Sequence, residues 1–332
     1  MEKYIMDENL NRLREGLRVI DDYFRMSGNK RLSKYCNDIR KKVSKLEDKS
    51  SQFRNRRAST DPGRKRYKTE KRKDIFSSNI RRCQEAARVL EETSKLLKPE
   101  LSANWQDIRF ELYVLESHIR RTDILKDELY LIITPEYCRE SPEKTVEKAC
   151  SSGIRLIQYR EKHGSDKKAY ETAIKLREIT HKYSAKLIID DRPELAMMCE
   201  ADGVHLGQDD YPASEVRGII GDNKIIGIST HSYKQIENIA CEDIDYIAYG
   251  PVISCISKEK NEKISGFPEK DIVENINIDI PLYLIGGINT ENYIQFYERG
   301  FFRLVFMTAL TMNEDMDGEI RKIFKRRIEY GN

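Results

Sequence analysis

Polar residues that bind metal ions and phosphates recur in the C-terminal two-thirds of the chain, each time just after a short apolar run. Arg160 and Lys162 follow one run, Asp190 and Asp191 end the next, and Asp210 follows a third. Mg²⁺ is usually bound by one or two carboxylates together with substrate phosphates. Arginine and lysine supply the positive charge that a diphosphate needs. The pattern therefore predicts a magnesium-assisted site for phosphorylated substrates.

Further polar residues and glycines lie at or just after the ends of the apolar runs. These further candidates are Gln158, Gln208, Ser229, His231, Ser254, Cys255, Ser257, Lys258, Gly286, Gly287 and Thr308. The glycine pair resembles the barrel phosphate sites that often follow the seventh strand, which predicts a second phosphorylated ligand. Taken singly, each residue has an ordinary explanation, because an Asp can cap a helix and a Lys can be solvated. Their recurrence at matching positions favours a shared site.

Eight apolar runs position these residues, and helical patterns separate the runs. They span 128–134, 154–160, 186–190, 203–207, 224–230, 246–251, 281–287 and 303–309. Continuous apolar runs are typical of strands buried on both faces of a parallel sheet. The alternation predicts an α/β fold of the (β/α)8 TIM-barrel type, whose chemistry lies at the carboxyl ends of its strands. A doubly wound sheet would need a glycine-rich fingerprint after the first strand, and Thr134-Pro135-Glu136 is not one.

The first part of the chain differs from the barrel in charge and glycine content. Residues 1–125 carry 31 Lys and Arg against 20 Asp and Glu, whereas the remainder carries 28 against 36. Only three of the 17 glycines precede residue 126. An all-α domain over 1–125, followed by the barrel over 126–332, is therefore predicted.

An internal repeat lies inside the helical domain at a spacing of seventy residues. The sequence around Asn9, Arg12, Glu15, Arg18 and RVIDD matches that around Asn79, Arg82, Glu85, Arg88 and RVLEE. Apolar residues at three- and four-residue steps give each copy one buried stripe, so about four helices form a bundle. The repeated arginines have two interpretations that stay open, which are ion pairs on the helix surface and an anion site between the copies.

Residues 54–73 form a basic run with ten Lys or Arg in twenty positions. Solvation is its simplest explanation, contact with a phosphorylated ligand comes second, and nucleic acid a distant third because only Tyr67 could stack on a base. No apolar stretch suits a membrane span or a secretory signal, so we expect a cytoplasmic protein with no membrane partner. Seven scattered cysteines indicate neither a disulfide framework nor a zinc cluster.

Residues 128–325 closely resemble thiamine phosphate synthase. The matching motifs are QYREK (158–162), DDR (190–192), ADGVHLGQDD (201–210), GISTHS (227–232), the Ser- and Lys-bearing loop 250–258, and IGGI (285–288). This family joins hydroxymethylpyrimidine diphosphate to thiazole phosphate and requires Mg²⁺. The resemblance implies the following roles: catalytic cations Arg160, Lys162 and Lys258; metal ligands Asp191 and Asp210; pyrimidine contacts Gln158 and Ser229; and a thiazole phosphate pocket at Gly287, Met307 and Thr308.

Two departures from the family pattern affect substrate binding. Asp190 stands where the family usually has Asn, which adds a carboxylate beside an anionic substrate. In the loop after the sixth strand, Cys255 and Ser257 replace the usual threonines. A thiol is a weak hydrogen-bond donor, so we expect weaker binding there but retained function.

The helical domain resembles, less specifically, an extension of some synthases that is implicated as a hydroxymethylpyrimidine phosphate kinase. That resemblance implies ATP as a further substrate, although no Walker loop or protein-kinase motif is present. Two alternatives stay open. The barrel could be a thiazole tautomerase that uses His231, and the helical domain could be a docking or oligomerisation module.

Overall fold

The computed structural model describes residues 1–26, 29–50, 72–124, 129–239, 243–253, 264–268 and 280–331. Residue contacts divide the chain into two compact units, Met1–Arg120 and Arg121–Asn332. Among the described residues, none of the helices combines the length and the apolar character needed to cross a membrane.

The described residues of the first unit form four long helices. They are α1 (Glu2–Met26), α2 (Lys30–Ser50), α3 (Arg72–Leu97) and α4 (Ser102–Ile124), with a short 3₁₀ turn at Pro99–Leu101. Each helix buries one apolar stripe, and Leu13 and Leu17 of α1 and Trp105 of α4 are fully buried. The stripe of α1 packs closely on α3, where a Cβ on Gly16 would lie 2.5 Å from Cys83 Sγ. Amphipathic periodicity therefore accounts for the bundle, as the sequence predicted.

The duplication extends to α2 and α4, two predicted helices whose similarity to each other was not recognised from the sequence. At a spacing of 69 residues, L-S-x-x-x-x-D-I-R in α2 (32–40) repeats in α4 (101–109). Its arginine has the same role in both copies, since Arg40 pairs with buried Asp21 and Arg109 pairs with buried Glu91. The repeated unit is therefore a helical hairpin, α1–α2 followed by α3–α4.

The second unit is a closed parallel barrel whose eight strands follow one another in chain order. The strands are β1 (Leu129–Ile133), β2 (Leu156–Tyr159), β3 (Lys186–Asp190), β4 (Gly203–Leu206), β5 (Ile225–Thr230), β6 (Tyr246–Tyr249), β7 (Leu282–Leu284) and β8 (Leu304–Phe306). All eight coincide with the predicted apolar runs, which confirms the TIM-barrel fold.

Helices surround the barrel. Those described are α5 (Pro142–Ser151), α6 (Asp166–Lys182), α7 (Pro193–Met198), α8 (Ala213–Ile220), α9 (Tyr233–Ile239), α10 (Ile294–Glu298), α11 (Thr308–Thr311) and α12 (Met316–Tyr330), with a 3₁₀ turn at Pro135–Tyr137. The main hydrophobic core lies between strands and helices. A smaller cluster, which includes Tyr130, Tyr246 and Tyr283, fills the barrel interior. Since the interior is packed, a substrate site must lie at an end of the barrel.

Candidate active site at the carboxyl ends of the barrel strands

Two cations and two carboxylates meet where β2 and β3 end. Lys162 Nζ hydrogen-bonds Asp191 Oδ2 and lies 3.6 Å from Asp190 Oδ2, and Arg160 Nε lies 3.3 Å from that same oxygen. Parallel pairing of β2 with β3 explains the proximity, because it brings the residues after Tyr159 beside those after Ile189. The structure therefore brings four of the predicted site residues into one cluster.

The backbone turns sharply at Asp191. Its φ angle is 58°, in the left-handed region that side chains other than glycine rarely adopt, and its N–H donates to the His205 carbonyl of β4 at 2.8 Å. Asp210 is fixed separately, because its Oδ2 accepts from the backbone N–H of Gly207 at 2.6 Å. Asp191 and Asp210 thus come from neighbouring strand ends to one point.

Burial and mutual repulsion raise the pKa of two carboxyl groups in this cluster, Asp190 and Asp210. Burial, followed by the charge of Asp191, raises the pKa of Asp190 to about 7. Burial also raises the pKa of Asp210, and the charge of Asp191 and a hydrogen bond with it add to that rise. Burial opposes charge on Lys162, yet its hydrogen bond to Asp191 and the nearby carboxylates leave the pKa of the ammonium raised overall. The cluster therefore holds excess negative charge that a cation would relieve.

The oxygen ligands at Asp191 and Asp210 suit Mg²⁺ better than a softer metal. Within the described residues no group of three or more His, Cys, Asp or Glu side chains could hold a metal by itself. Mg²⁺ commonly uses one or two carboxylates and completes its shell with water and substrate phosphate. The pair therefore fits a magnesium ion that binds together with a phosphorylated substrate.

A chain of hydrogen bonds crosses the barrel interior beneath this cluster. Gln158 Nε2 donates to the Tyr130 hydroxyl at 2.8 Å, which lies 2.7 Å from the Tyr246 hydroxyl. The same Tyr246 oxygen lies 2.9 Å from His205 Nδ1, and His205 Nε2 lies 2.9 Å from Ser229 Oγ. We call these five residues the interior chain. It links Gln158 to Ser229, the two side chains expected to contact the pyrimidine.

Tyr130, His205 and Tyr246 were not predicted from the sequence as members of the site. All three are at most 4% exposed. The sequence feature that could have indicated them is His205 inside the apolar run GVHLG, because a buried polar side chain needs partners inside the fold. Tyrosines within apolar strands β1 and β6 were the available partners.

The ends of β7 and β8 form the other side of the candidate site. Gly286 and Gly287 have φ angles of 97° and 70°, and a Cβ on Gly287 would lie 2.6 Å from Ile253 Cβ. Only glycine therefore fits at position 287 without displacing the loop. Met307 and Thr308, which the resemblance assigns to a thiazole phosphate pocket, directly follow β8.

Not all predicted residues can be placed. Ser254, Cys255, Ser257 and Lys258 lie outside the described residues, as does most of the basic run 54–73. His231 is placed at the end of β5, where Nδ1 lies 2.5 Å from the Gly250 carbonyl oxygen and the backbone N–H donates to Gln235. The carbonyl can only accept, so Nδ1 is the protonated nitrogen in this contact.

In the helical unit Arg12, Arg18 and Arg88 of the repeat form ion pairs along their own helices. Arg12 pairs with Glu8 at 2.5 Å, and Arg18 lies 3.7 Å from Asp22. Arg88 pairs with Glu91 at 3.0 Å and with Glu92 at 2.9 Å. These contacts fit the ion-pair interpretation. Arg18 also lines a groove between α1 and α2, which lies within the first copy of the repeat and is distinct from the anion site expected between the copies.

Fold and site together define a (β/α)8-barrel protein with a charged site for phosphorylated ligands at its strand ends. Residues 129–310 match the family model described as thiamine monophosphate synthase, and residues 4–118 match the model of the ThiD2 family. The chain therefore belongs to the thiamine monophosphate synthase family, which makes it a transferase of thiamine biosynthesis.

Similar proteins extend the match across both units. A thiamine-phosphate synthase of Nostoc punctiforme is 34% identical over 93% of this chain and 90% of its own length. A thiamine-phosphate synthase of Prochlorococcus marinus is 36% identical over 94% of this chain and 92% of its own. The solved thiamine phosphate pyrophosphorylase of Pyrococcus furiosus, 27% identical, aligns with a TM-score of 0.55 over 64% of this chain and 99% of its own.

Proposed function

We propose that the barrel transfers the hydroxymethylpyrimidine group from its diphosphate to thiazole phosphate, giving thiamine phosphate and pyrophosphate. The observation that carries this proposal is the cluster of Arg160, Lys162, Asp191 and Asp210 at adjacent strand ends. Two cations suit a diphosphate, and two carboxylates suit the Mg²⁺ that accompanies it.

The bond that breaks joins the pyrimidine methylene carbon to a diphosphate oxygen, and its electron pair leaves with the diphosphate. The thiazole nitrogen then donates its lone pair to that carbon, so no nucleophilic side chain is required. Asp191 and Asp210 would hold Mg²⁺, which would offset negative charge on the departing diphosphate. Arg160, Lys162 and Lys258 would offset the same negative charge with their own positive charges.

Orientation is the second contribution of the barrel. Gln158 and Ser229 are both held by the interior chain, so their polar atoms are directed before the pyrimidine binds. The Gly286-Gly287 turn with Met307 and Thr308 would bind the thiazole phosphate. Holding both reactants in the reactive geometry lowers the entropic part of the activation free energy.

The proposal is tested by giving the whole chain both phosphorylated substrates with Mg²⁺ and measuring thiamine phosphate and pyrophosphate in equal amounts. Arg160→Ala should lower turnover about 10²–10³-fold, as loss of one preorganised transition-state contact typically does. Lys148→Ala is the control, because it removes an exposed lysine of α5 that pairs with Glu140. Near-normal turnover in Arg160→Ala at saturating substrate would contradict the diphosphate role.

We further propose that the helical unit makes the diphosphate from hydroxymethylpyrimidine phosphate and ATP. The separate family match over 4–118 and the net positive charge of this unit support the proposal. The whole chain, supplied with ATP, Mg²⁺, the monophosphate and thiazole phosphate, should then form thiamine phosphate. If it uses only preformed diphosphate, the unit is better explained as a docking or oligomerisation module.

Tautomerase activity is the remaining alternative for the barrel. It would depend on His231 and would not need Arg160 or Mg²⁺. His231→Asn should therefore leave thiamine phosphate formation within about tenfold of the unchanged chain, whereas a tautomerase would lose its activity.

A further inference from the structure

A polar groove lies between α1 and α2 of the helical unit. Its volume is about 590 Å³, within the range of sites that hold ligands of drug size. Five of its nine lining residues are cations, and Glu15 is its one carboxylate; the cations are Arg14, Arg18, Arg40, Lys41 and Lys45. Cations therefore outnumber carboxylates among the described residues that line the groove, although Arg18 and Lys41 also pair with Asp22 and Asp38 of their own helices.

Carboxylates outside the groove hold several of these cations in place. Arg14 Nη1 lies 2.9 Å from both carboxylate oxygens of Glu47, and Arg40 Nη1 lies 2.6 Å from Asp21 Oδ2. Each guanidinium uses a single nitrogen in these contacts, so donors remain for a ligand. Neither Glu47 nor Asp21 lines the groove. Arginines held by ion pairs of this kind are well suited to bind phosphate, because less side-chain freedom is lost on binding.

The second helical hairpin provides an internal comparison. At the equivalent positions of α3 and α4, Gln84 replaces Arg14, Phe110 replaces Lys41 and Val114 replaces Lys45, while Arg81 stands where the groove has Asn11. Gln84 keeps the structural contact of Arg14, since its amide donates to Glu116 at 2.7 Å where Arg14 contacts Glu47. The same hairpin therefore folds without these three cations.

The arginines common to both hairpins contribute to the fold, as their contacts show. Arg40 and its counterpart Arg109 each pair with a buried carboxylate. In the second hairpin Arg109 also lies 4.9 Å from the ring centre of Phe110, which stands where the first hairpin has Lys41. Three cations are thus additional to the fold and belong to the groove of α1 and α2 alone. Positive charge concentrated in one concave surface in this way is typical of a site for anions.

We propose that this groove binds the phosphate chain of a nucleotide-sized ligand. The choice of a nucleoside triphosphate rests on the proposed kinase function of the unit, but binding itself requires no turnover. Guanidinium and ammonium groups on facing helices match a chain of phosphates, and the volume leaves room for a nucleoside.

The test is equilibrium binding of the non-hydrolysable analogue β,γ-methylene-ATP to the full chain, measured by calorimetry. Arg14→Gln and Lys45→Val give the groove the residues of the second hairpin. Each should weaken binding roughly tenfold or more, since each removes a charged hydrogen-bonding group. Lys95→Gln, which removes a cation of α3 that does not line the groove, is the matched control and should bind as the unchanged chain does.

The outcomes separate this inference from the kinase proposal. Binding that is lost in the groove variants without any phosphoryl transfer would support the groove and contradict the kinase. Formation of the diphosphate with equal efficiency in Arg14→Gln, Lys45→Val and the unchanged chain would support the kinase proposal and contradict the groove assignment. Equal weakening in Lys95→Gln, or no binding of β,γ-methylene-ATP at millimolar concentration, would overturn the groove assignment. Fluorescence of Trp105, which is buried in the helical unit, shows whether each variant is folded.

Discussion

Tyr246 lies at the middle of the interior chain, and its replacement by Phe tests whether that chain supports catalysis. Its side chain is fully buried, and its hydroxyl contacts the Tyr130 hydroxyl at 2.7 Å and His205 Nδ1 at 2.9 Å. Tyr246→Phe preserves the ring that packs against Tyr130, His205 and Tyr283. The substitution therefore removes two hydrogen bonds and almost no packing.

The expected magnitude follows from what remains after the hydroxyl is removed. Each hydrogen bond contributes about 1 kcal/mol net, and the buried Tyr130 hydroxyl and His205 nitrogen each lose a partner, so we expect a loss of about 2–3 kcal/mol of unfolding free energy. Tyr130 still contacts Gln158, and His205 still contacts Ser229, but the two halves of the chain are no longer joined. We expect kcat/KM for synthase turnover to fall roughly tenfold because both pyrimidine contacts lose orientation.

Urea unfolding followed by far-UV circular dichroism, together with steady-state kinetics, measures both effects. Tyr297→Phe is the control, because the Tyr297 hydroxyl is buried with no hydrogen-bond partner in the part of the chain that the structure describes. That variant should be as stable as the unchanged chain or slightly more stable. Unchanged stability and kcat/KM in Tyr246→Phe would refute the reasoning.

Three further predictions concern the metal, the cluster and the bundle. Chelation with EDTA should abolish synthase turnover and added Mg²⁺ should restore it, with Trp105 fluorescence unchanged; full activity in excess chelator would contradict the magnesium site. Asp190→Asn should release Arg160, 3.3 Å away, and lower the KM for the pyrimidine diphosphate roughly fivefold, as expected for an ion pair of about 1 kcal/mol; a raised KM in steady-state kinetics would show that the carboxylate assists binding. Gly16→Ala places a Cβ 2.5 Å from Cys83 Sγ, so a steric cost of about 1–3 kcal/mol should outweigh the roughly 1 kcal/mol that Ala gains over Gly in a helix. Urea unfolding, monitored by Trp105 fluorescence, measures the free energy of unfolding. Adding Cys83→Ala to Gly16→Ala removes the sulfur and should restore much of the lost stability. If the two substitutions instead have additive effects in the double variant, the contact would be contradicted.

The sequence alone determined the barrel, its eight strands and the positions of the charged residues at their ends. Strand location depends on local apolar runs, and parallel pairing in chain order places each strand end beside the next. Asp190 and Asp191 are therefore assigned to one cluster with Arg160 and Lys162 by strand order alone. The first helix of each hairpin was also predictable, since its repeat needs no gap.

Only the tertiary structure decided which residues meet across the barrel and which groove of the bundle is cationic. Tyr130, His205 and Tyr246 lie on β1, β4 and β6, and closure of the barrel brings their side chains together in its interior. The left-handed backbone at Asp191 likewise depends on a hydrogen bond to the next strand. The groove of α1 and α2 exists only because the two helices face each other with their cations on one side. Contacts between distant segments depend on closure and packing, which local sequence patterns do not encode.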